Sequence, residues 1–275
     1  MESTKSLARA RALFAALPRP LGFVPTMGAL HAGHLALVAE ARRRSDSVAA
    51  SVFVNPLQFA PNEDLAAYPR DLRGDRRMLA RAGVDVLFAP DSTEMFGGDF
   101  ATFVDVGPLG SVFEGALRPS HFRGVTTVIA KLLHVVQPDA IYLGQKDAQQ
   151  TAVLRRMMRD LAFPVEVRIV PTVREADGLA MSSRNRYLST AQRARAPSLY
   201  QALLTMREAL ERGRTKKVAI AAAAAVLDGA ARLDYLDLVD ADTFEPLERL
   251  HAPAFIIGAA RFGKTRLIDN LLVKR

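Results

Sequence analysis

A stretch near the N-terminus reads Leu21-Gly-Phe-Val-Pro25-Thr-Met-Gly28-Ala-Leu-His31-Ala-Gly33-His34. It opens with an apolar, β-prone run, and an amphipathic segment typical of a helix follows over Leu35–Arg44. The glycines between them let the backbone approach a ligand closely, and a helix N-terminus offers unpaired N–H groups to an anion. The stretch therefore predicts a strand, an anion-binding turn and a helix.

The alternation of strand and helix continues to about Val170. Short β-rich runs separate helix-like stretches of about ten residues or more, as expected of βαβ units in a parallel sheet. The predicted strands are Leu21–Val24, Val48–Val54, Val84–Phe88, Ala140–Leu143 and Val165–Val170, and the predicted helices are Leu35–Arg44, Leu72–Ala82, Thr126–Val136 and Gln149–Leu161. We therefore expect an α/β fold with a Rossmann-like, doubly wound parallel sheet that binds ligands at the carboxyl ends of its strands.

The C-terminal part has a different pattern and predicts a smaller α+β domain. Ser189-Thr-Ala-Gln192 has the form of a capping box, which opens a predicted helix that runs to Glu211 and stops before Gly213. The further predicted elements are an Ala-rich helix over about Lys217–Arg232, strands at Leu233–Val239 and Ala254–Ala260, and a closing segment Arg266–Asn270. We place the domain boundary between residues 174 and 175, so the larger domain covers residues 1–174 and the smaller one residues 175–275.

Composition excludes several classes of protein. The chain has 275 residues, 49% of them hydrophobic, and contains no Cys. It therefore has no disulfide scaffold, thiolate metal site or thiol nucleophile, and it suits a reducing compartment. The longest unbroken apolar run, Val218–Leu227, has about ten residues, whereas a membrane span needs about 20. We interpret Met1–Pro20 as a first helix of the fold and not as a targeting peptide.

The net charge of +8 leaves two interpretations open. An excess of Lys and Arg is typical of proteins that bind nucleic acid or small anions. The basic residues are scattered and interrupted by acidic or apolar ones, which fits a solvated surface as well as a basic cleft for phosphates. The absence of Trp, the presence of only five Tyr and the lack of a recognisable RNA-binding motif argue against nucleic-acid binding.

The two histidines of the first stretch are candidates for phosphate binding. His31 and His34 are three residues apart, so they share one face if the helix begins close to them. Imidazoles at a helix start can donate hydrogen bonds to phosphate oxygens as charge builds in a transition state. A zinc site lacks a clear third ligand and the H-E-x-x-H spacing. The open alternative is a Gly-rich turn with two surface histidines.

Two further segments carry residues suited to phosphates. Gly144-Gln-Lys146-Asp147 follows a predicted strand, so Lys146 can neutralise a phosphate, and Gln150 can bond a hydroxyl or carboxylate without adding charge. The polar stretch Met181-Ser-Ser-Arg184-Asn185 offers two hydroxyls and a guanidinium to a triphosphate. Taken alone, the first segment also fits a simple helix cap and the second an exposed turn.

Together these motifs resemble the pantoate–β-alanine ligase (pantothenate synthetase) family. Residues 25–34 look like the HxGH signature of the nucleotidylyl-transferase superfamily, and residues 181–185 look like a variant of its K-M-S-K-S loop. The segments that carry the family resemblance are Pro25–His34, Phe53–Phe59, Tyr68–Arg70, His121–Gly124, Gly144–Asp147, Gly178–Asn185 and Arg266–Asn270. HxGH alone names only a superfamily, whereas the combination is specific to this family.

The resemblance implies a function for the chain. Members of the family are ATP-dependent ligases that join (R)-pantoate to β-alanine through a pantoyl-adenylate intermediate and release AMP and pyrophosphate. The implied partners are ATP, pantoate and β-alanine, with Mg²⁺ accompanying the ATP and with no nucleic acid and no membrane. The resemblance also implies a cytoplasmic homodimer whose smaller domain closes over ATP.

Roles follow from the resemblance position by position. His34 matches the residue assigned as proton donor, and we expect its larger contribution to be phosphate stabilisation. Gln58 and Gln150 match residues that bind pantoate, and Asp75 is the candidate metal ligand. The implied catalytic set is His34, His31, Lys146 and Arg184. The positions that match ATP contacts are Met27, Gly28, Ala29, Leu30, His31, Ala32, Gly33, His34, Gly144, Gln145, Lys146, Asp147, Val173, Met181, Ser182, Ser183 and Arg184.

Three positions depart from the family's pattern. Gly74 precedes Asp75 where related sequences usually have an acidic residue, so a metal here relies on Asp75 or on phosphates alone. Gln145 stands where Glu is common, and Ser120 stands where Gly is common. The alternative within the superfamily is an adenylyl transferase with a different acceptor, and the two glutamines assigned to pantoate argue against it.

Overall fold

A computed structural model describes residues 1–60, 63 and 65–274. The chain forms two compact units: one comprises residues 1–144 and 153–170, and the other comprises residues 145–152 and the chain from Pro171 onward. The chain thus leaves the first unit at Val170, close to the boundary predicted after residue 174. The assignment of Gln145–Ala152 to the second unit is a feature that the sequence pattern did not predict.

The first unit alternates strands and helices. In chain order its elements are β1 (Glu2–Thr4), α1 (Leu7–Ala15), β2 (Leu21–Thr26), α2 (Ala32–Arg44), β3 (Ser47–Val52), α3 (Leu72–Arg81), β4 (Val86–Phe88), α4 (Ser92–Phe96), α5 (Glu114–Leu117), α6 (His121–Val136), β5 (Ala140–Gly144), α7 (Ala148–Asp160) and β6 (Glu166–Val170). The start of α7 lies in the segment that belongs to the second unit. The first helix predicted over Met1–Pro20 is wrong in its extent: α1 covers only Leu7–Ala15, and the polar residues Glu2–Thr4 form strand β1.

The six strands form a parallel sheet in the order β1-β4-β3-β2-β5-β6. From β2 the chain winds through β3 to β4 on one side, and from β5 it continues to β6 on the other side, so the direction of winding reverses between β2 and β5. Ligands of doubly wound sheets bind at the carboxyl ends of strands at such a reversal. β2 ends at Thr26, just before residues 27–34, which we call the Gly-His stretch, and β5 ends at Gly144. The predicted Rossmann-like sheet is confirmed.

Both faces of this sheet are covered, which explains the near-continuous apolar runs of its strands. Successive residues of β2 point to opposite faces. Phe23 lies in a core with Phe14 of α1 and Leu133 of α6, and Val24 lies in a second core with Leu37 of α2 and other buried residues. Residues of β2 and β5 therefore pack into both cores at the centre of the sheet.

The second unit is the smaller α+β body that the sequence predicts. Its elements are α8 (Thr190–Arg195), α9 (Ser198–Glu211), α10 (Lys216–Val226), β7 (Arg232–Asp240), β8 (Ala254–Phe262) and β9 (Thr265–Val273). The strands form an antiparallel sheet in the order β7-β8-β9, whose core includes Leu203 and Met206 of α9 and Ile256 of β8. In the part of the chain that the structure describes, no helix combines the length and the apolar character needed to cross a membrane.

The helices of the second unit differ from the sequence prediction in two places. The predicted helix Ser189–Glu211 is wrong as a single element: the capping box of Ser189 and Gln192 is present, but Pro197 separates α8 from α9. Proline has no N–H to donate, and its ring clashes with the carbonyl one turn earlier, so the helix breaks. The Ala-rich helix ends before the predicted Arg232 because the chain turns at Gly229, where φ is +68°.

Candidate active site

The Gly-His stretch after β2 forms a loop and the first turn of α2. The helix begins earlier than the predicted Leu35, with His31 as its N-cap. Nδ1 of His31 accepts a hydrogen bond from the N–H of Gly33 at 3.2 Å, and Nδ1 of His34 accepts one from the N–H of His31 at 3.3 Å. The pair is a capping box in which imidazoles replace the usual Ser or Thr and Glu or Gln. The ring centroids are 4.2 Å apart, so the two histidines lie together as their spacing predicts.

These cap bonds assign the tautomer of both rings. An Nδ1 atom that accepts an N–H carries a lone pair, so the proton of the neutral ring is on Nε2. The N–H donor of His31 and that of His34 are therefore both at Nε2. The side chains are half-buried at a helix N-terminus, where the backbone N–H groups add partial positive charge. A helix start with two Nε2–H donors suits an anion.

The loop before α2 is held by Asp75 of α3. Its Oδ2 accepts the N–H of Ala29 at 3.0 Å, and its Oδ1 accepts the N–H of Leu30 at 2.9 Å. Gly28 and Ala29 have left-handed backbone, with φ of +82° and +51°, and a Cβ at Gly28 would lie 2.7 Å from Oδ2 of Asp75. The left-handed conformation costs a non-glycine residue about 1–2 kcal/mol, which charge-assisted bonds to the carboxylate offset. Asp75 therefore sets the shape of the loop.

This geometry bears on the predicted metal site. Both carboxylate oxygens of Asp75 bond to backbone N–H groups, the residue is only 4% exposed, and its neighbour Gly74 supplies no second carboxylate. Among the described residues, no group of three or more His, Cys, Asp or Glu is placed to hold a metal ion. The residues present therefore do not fit a dedicated metal site, and metal binding by Asp75 stays a prediction.

Gln58 lies in a short 3₁₀ turn after β3 and is buried. Nδ2 of Asn55 donates to Oε1 of Gln58 at 3.0 Å and to the carbonyl of Gly124 at 3.1 Å. These bonds fix the amide of Gln58 so that its Nε2 points towards Sδ of Met27, at 3.0 Å. A Cβ at Gly124 would overlap the backbone of the turn, so glycine is required where α6 packs against it. The residue predicted to bind pantoate is thus rigidly oriented.

Arg118 and His121 hold the same turn, and the sequence predicts no role for either residue. Nδ1 of His121 donates to the carbonyl of Gln58 at 2.8 Å, and its Nε2 accepts from Arg118 at 3.1 Å. Arg118 also makes a two-bond ion pair with Glu63, at 2.5 and 2.7 Å. Burial, and then the charge of Arg118, lower the pKa of His121 to about 4, so the ring is neutral at pH 7. No local sequence pattern links these residues to Gln58.

The second unit brings two predicted phosphate-binding segments to one place. Lys146 lies in the 3₁₀ turn Gln145–Asp147, which we call the Lys146 turn. The side chain of Lys146 is 19% exposed and lines a small pocket with Ser182, Tyr200 and Asp269. Its Nζ is 3.5 Å from Oδ1 of Asp147, a weak ion pair. The lysine and the serine predicted to contact phosphates therefore share a pocket wall.

We call residues 181–184 the serine-rich loop, and local hydrogen bonds hold it. The N–H of Met181 donates to the carbonyl of Val173 at 2.9 Å, which pairs two positions matched to ATP contacts. Oγ of Ser182 accepts the N–H of Arg184 at 3.2 Å. The amide of Asn185 donates to the carbonyl of Ala180 at 3.1 Å. Ser182, Ser183 and Arg184 are half-buried, so the loop is an ordered turn and not a fully exposed one.

The other predicted residues fall at the ends of elements. Gly144 closes β5, and a Cβ there would meet no described atom within 4 Å. Packing therefore gives no reason for glycine at this position, whereas close approach of a ligand does. Gln150 is half-buried on α7, in the segment that belongs to the second unit. Each unit thus holds its own set of predicted residues, and their joint action on one ATP stays a prediction.

The chain is similar to known proteins over nearly its whole length. A family model described as pantoate-beta-alanine ligase matches residues 2–272. The pantothenate synthetase of Thermus thermophilus is 57% identical over 265 residues, which cover 95% of this chain and 96% of that protein. The pantothenate synthetase of Moorella thermoacetica is 48% identical over 281 residues, which cover 100% of this chain and 99% of that protein.

Solved structures agree with these matches. A crystal structure of the Thermus thermophilus pantothenate synthetase has a TM-score of 0.95 and 55% identity and covers 100% of both chains. A pantoate-β-alanine ligase from Francisella tularensis, solved in complex with beta-gamma ATP and β-alanine, has a TM-score of 0.81 and 31% identity and covers 99% of this chain and 97% of that one. The chain belongs to the pantoate–β-alanine ligase family.

Proposed function

We propose that the chain is an ATP-dependent ligase that joins pantoate to β-alanine. Family membership over residues 2–272 carries the proposal. The paired imidazole donors at the start of α2 supply a group that the chemistry needs, since they suit an anionic phosphate. The relative from Francisella tularensis, solved with beta-gamma ATP and β-alanine, supports the choice of two of the substrates.

The proposed reaction has two steps. A carboxylate oxygen of pantoate attacks the α-phosphorus of ATP, and pyrophosphate leaves with the electrons of the broken P–O bond, which gives pantoyl adenylate. The amine of β-alanine then attacks the acyl carbon and loses a proton, the acyl–oxygen bond breaks, and AMP leaves. Both steps bring anions together, so the protein must supply donors and cations, hold the reactants in line and keep water from the mixed anhydride.

The proposed roles follow the chemistry of each side chain. The Nε2–H groups of His31 and His34 donate to phosphate oxygens as negative charge develops on them. Lys146 and Arg184 screen the triphosphate, Arg184 through a planar group that matches phosphate geometry. Gln58 meets the hydroxyl and carboxylate groups of pantoate with a neutral amide, and Gln150 is proposed to do the same. We propose that the residues of both units serve one ATP.

Three finer properties rest on family membership alone. Magnesium enters as MgATP, because Mg²⁺ keeps most of its waters and binds largely through substrate phosphates. No step of the proposed reaction uses a protein-held ion, since the surroundings of Asp75 do not fit one. The homodimer and the cytoplasmic location are proposed on the same basis.

Isotope exchange tests the function directly. We expect labelled pyrophosphate to exchange into ATP only when (R)-pantoate is present, and AMP to appear when β-alanine is added. Exchange that depends on a different acid would identify an adenylyl transferase with another acceptor. Binding of duplex or tRNA with a steep salt dependence, without turnover of small molecules, would favour the nucleic-acid alternative.

Replacing Asp75 separates its two candidate roles. Asp75→Asn keeps one acceptor but turns an N–H₂ group towards a backbone donor, so the loop before α2 loses its shape. We expect the exchange rate to fall about 10-fold or more. The Mg²⁺ concentration that gives half the maximal rate stays unchanged, because the carboxylate holds backbone and not metal. The measurement is exchange rate against Mg²⁺ concentration at fixed ATP.

The matched control for this variant is Asp71→Asn on the same helix. Asp71 is the N-cap of α3, with Oδ1 2.8 Å from the N–H of Gly74, and Asn serves equally well at that position. We expect Asp71→Asn to leave the exchange rate unchanged. A marked increase in the Mg²⁺ concentration that Asp75→Asn requires, absent in the control, would show that Asp75 binds the metal.

A further inference from the structure

Strand β9 carries two adjacent, almost fully buried polar residues that the proposed reaction does not use. The side chain of Asp269 is 3% exposed, and Asn270 is 1% exposed. Burying such groups is costly unless they are hydrogen-bonded, so their partners indicate what they hold in place. They belong to the segment Arg266–Asn270, which carries part of the family resemblance. The sequence predicts no role for this segment.

The amide of Asn270 bonds to the backbone of the Lys146 turn. Nδ2 donates to the carbonyl of Gln145 at 2.8 Å and to the carbonyl of Lys146 at 2.9 Å. Oδ1 accepts from Nε2 of Gln145 at 3.2 Å. One side chain thus satisfies two successive carbonyls and one side-chain donor. A carboxylate has no N–H, so a glutamate at position 145 would not make the last of these bonds.

Asp269 holds the segment that leads to the serine-rich loop. Its carboxylate makes a two-bond ion pair with Arg174, at 2.6 and 2.9 Å. Arg174 also donates to the carbonyl of Gly178 at 3.0 Å, and its guanidinium lies 3.7 Å from the ring centre of Tyr200. Burial raises the pKa of Asp269, and the Arg174 charge opposes that shift. Two adjacent residues of one strand are therefore tied to both candidate phosphate-binding segments of the second unit.

We propose that Asn270 is a positioning residue for Lys146. The inference rests on the proposed function, in which Lys146 screens the phosphates of ATP. A lysine side chain is long and flexible, so its ammonium can be placed only if the backbone from which it extends is fixed. Asn270 fixes that backbone through the carbonyl of Lys146 itself, while the Asp269–Arg174 pair anchors β9 beside the serine-rich loop.

Asn270→Ala tests the inference through substrate kinetics. The change removes both donors and leaves the carbonyls of Gln145 and Lys146 without this partner, so the Lys146 turn shifts. We expect kcat/KM for ATP to fall about 10- to 100-fold, the size of effect that a displacement of about 1 Å produces. KM for pantoate stays within about twofold of the wild-type value, because ground-state binding of pantoate does not use Lys146.

A double-mutant cycle distinguishes positioning from general destabilisation. If Asn270 acts through Lys146, Asn270→Ala adds little to the loss in ATP kinetics that Lys146→Ala already causes. Fully additive losses in the double variant overturn the inference. If the Ala variant does not fold, Asn270→Ser replaces it in the cycle: the hydroxyl keeps one donor, and we expect an intermediate loss of kcat/KM for ATP.

Two controls complete the design. Asn55 is also 1% exposed and also donates to a backbone carbonyl, but it orients Gln58, so Asn55→Ala should raise KM for pantoate and spare ATP. Val273→Ala weakens β9 through the core of the second unit, of which Val273 is a buried member. A wild-type protein without pantoate-dependent exchange contradicts the proposed function. An active wild type in which Asn270→Ala matches Val273→Ala in ATP kinetics overturns this inference alone.

Discussion

His34→Ala is expected to slow pantoate-dependent pyrophosphate exchange by about 100- to 1,000-fold while the fold survives. The ring contributes an Nε2–H donor held in place by the bond from the N–H of His31 to its Nδ1. Removing one preorganised donor from a developing oxyanion costs about 10²–10³ in kcat. The measurement is the exchange rate at saturating ATP and pantoate, with circular dichroism to show that the fold is retained. A rate equal to that of the wild type would contradict the site assignment.

His34→Gln shows which property of the ring matters. Glutamine is a usual residue at this position of a capping box, where its Oε1 accepts the N–H of the N-cap residue, so the start of α2 keeps its bond. The amide also presents a neutral N–H₂ donor but does not transfer a proton at neutral pH. We expect partial recovery of the exchange rate, because we assign His34 mainly to phosphate stabilisation. A Gln variant as slow as the Ala variant would instead assign His34 to proton donation.

The parts of the site that sequence predicts are those built from neighbouring residues. The strand, loop and helix around His31 and His34 follow from hydrophobic pattern, glycine placement and a spacing of three residues. The Ser189 capping box is local in the same way and is present in the structure. The break at Pro197 is equally local, and the rule that proline lacks an N–H could have placed it.

The parts that sequence does not predict depend on contacts made only by the folded chain. Asp75 bonds to Ala29 and Leu30 across 46 and 45 residues of sequence. Asn270 bonds to the carbonyl of Lys146 across 124 residues. Nothing in the local pattern around these residues distinguishes a carboxylate that holds a loop from one that binds a metal. The topology of the sheets decides which residues meet, and the hydrogen bonds then show which backbone groups each side chain holds.

Lys146→Ala is expected to lower kcat/KM for ATP by about 100-fold or more, with the fold retained. The side chain of Lys146 is only 19% exposed, and charges removed from bulk water interact more strongly than exposed ones. Two carboxylates lie near it: Asp147, at 3.5 Å, and Asp269, which lines the same pocket. Without the lysine, Asp147 repels a triphosphate, whereas Asp269 stays paired with Arg174, so the loss includes repulsion as well as missing attraction.

Matched substitutions separate the charge of Lys146 from its packing. Lys146→Met keeps an unbranched apolar side chain of similar length, and we expect it to be as impaired as Lys146→Ala. Lys146→Arg keeps the charge in a bulkier planar group, and its kcat/KM for ATP should fall between those of the Met variant and the wild type.

Lys216→Met is the control: Lys216 is 14% exposed and pairs with Asp237 at 2.5 Å, so its loss should lower the melting temperature and leave ATP kinetics unchanged. Met keeps the packing of the side chain and removes only its charge. A Lys146→Met variant with wild-type kcat/KM for ATP would therefore show that the reaction does not use the charge of Lys146.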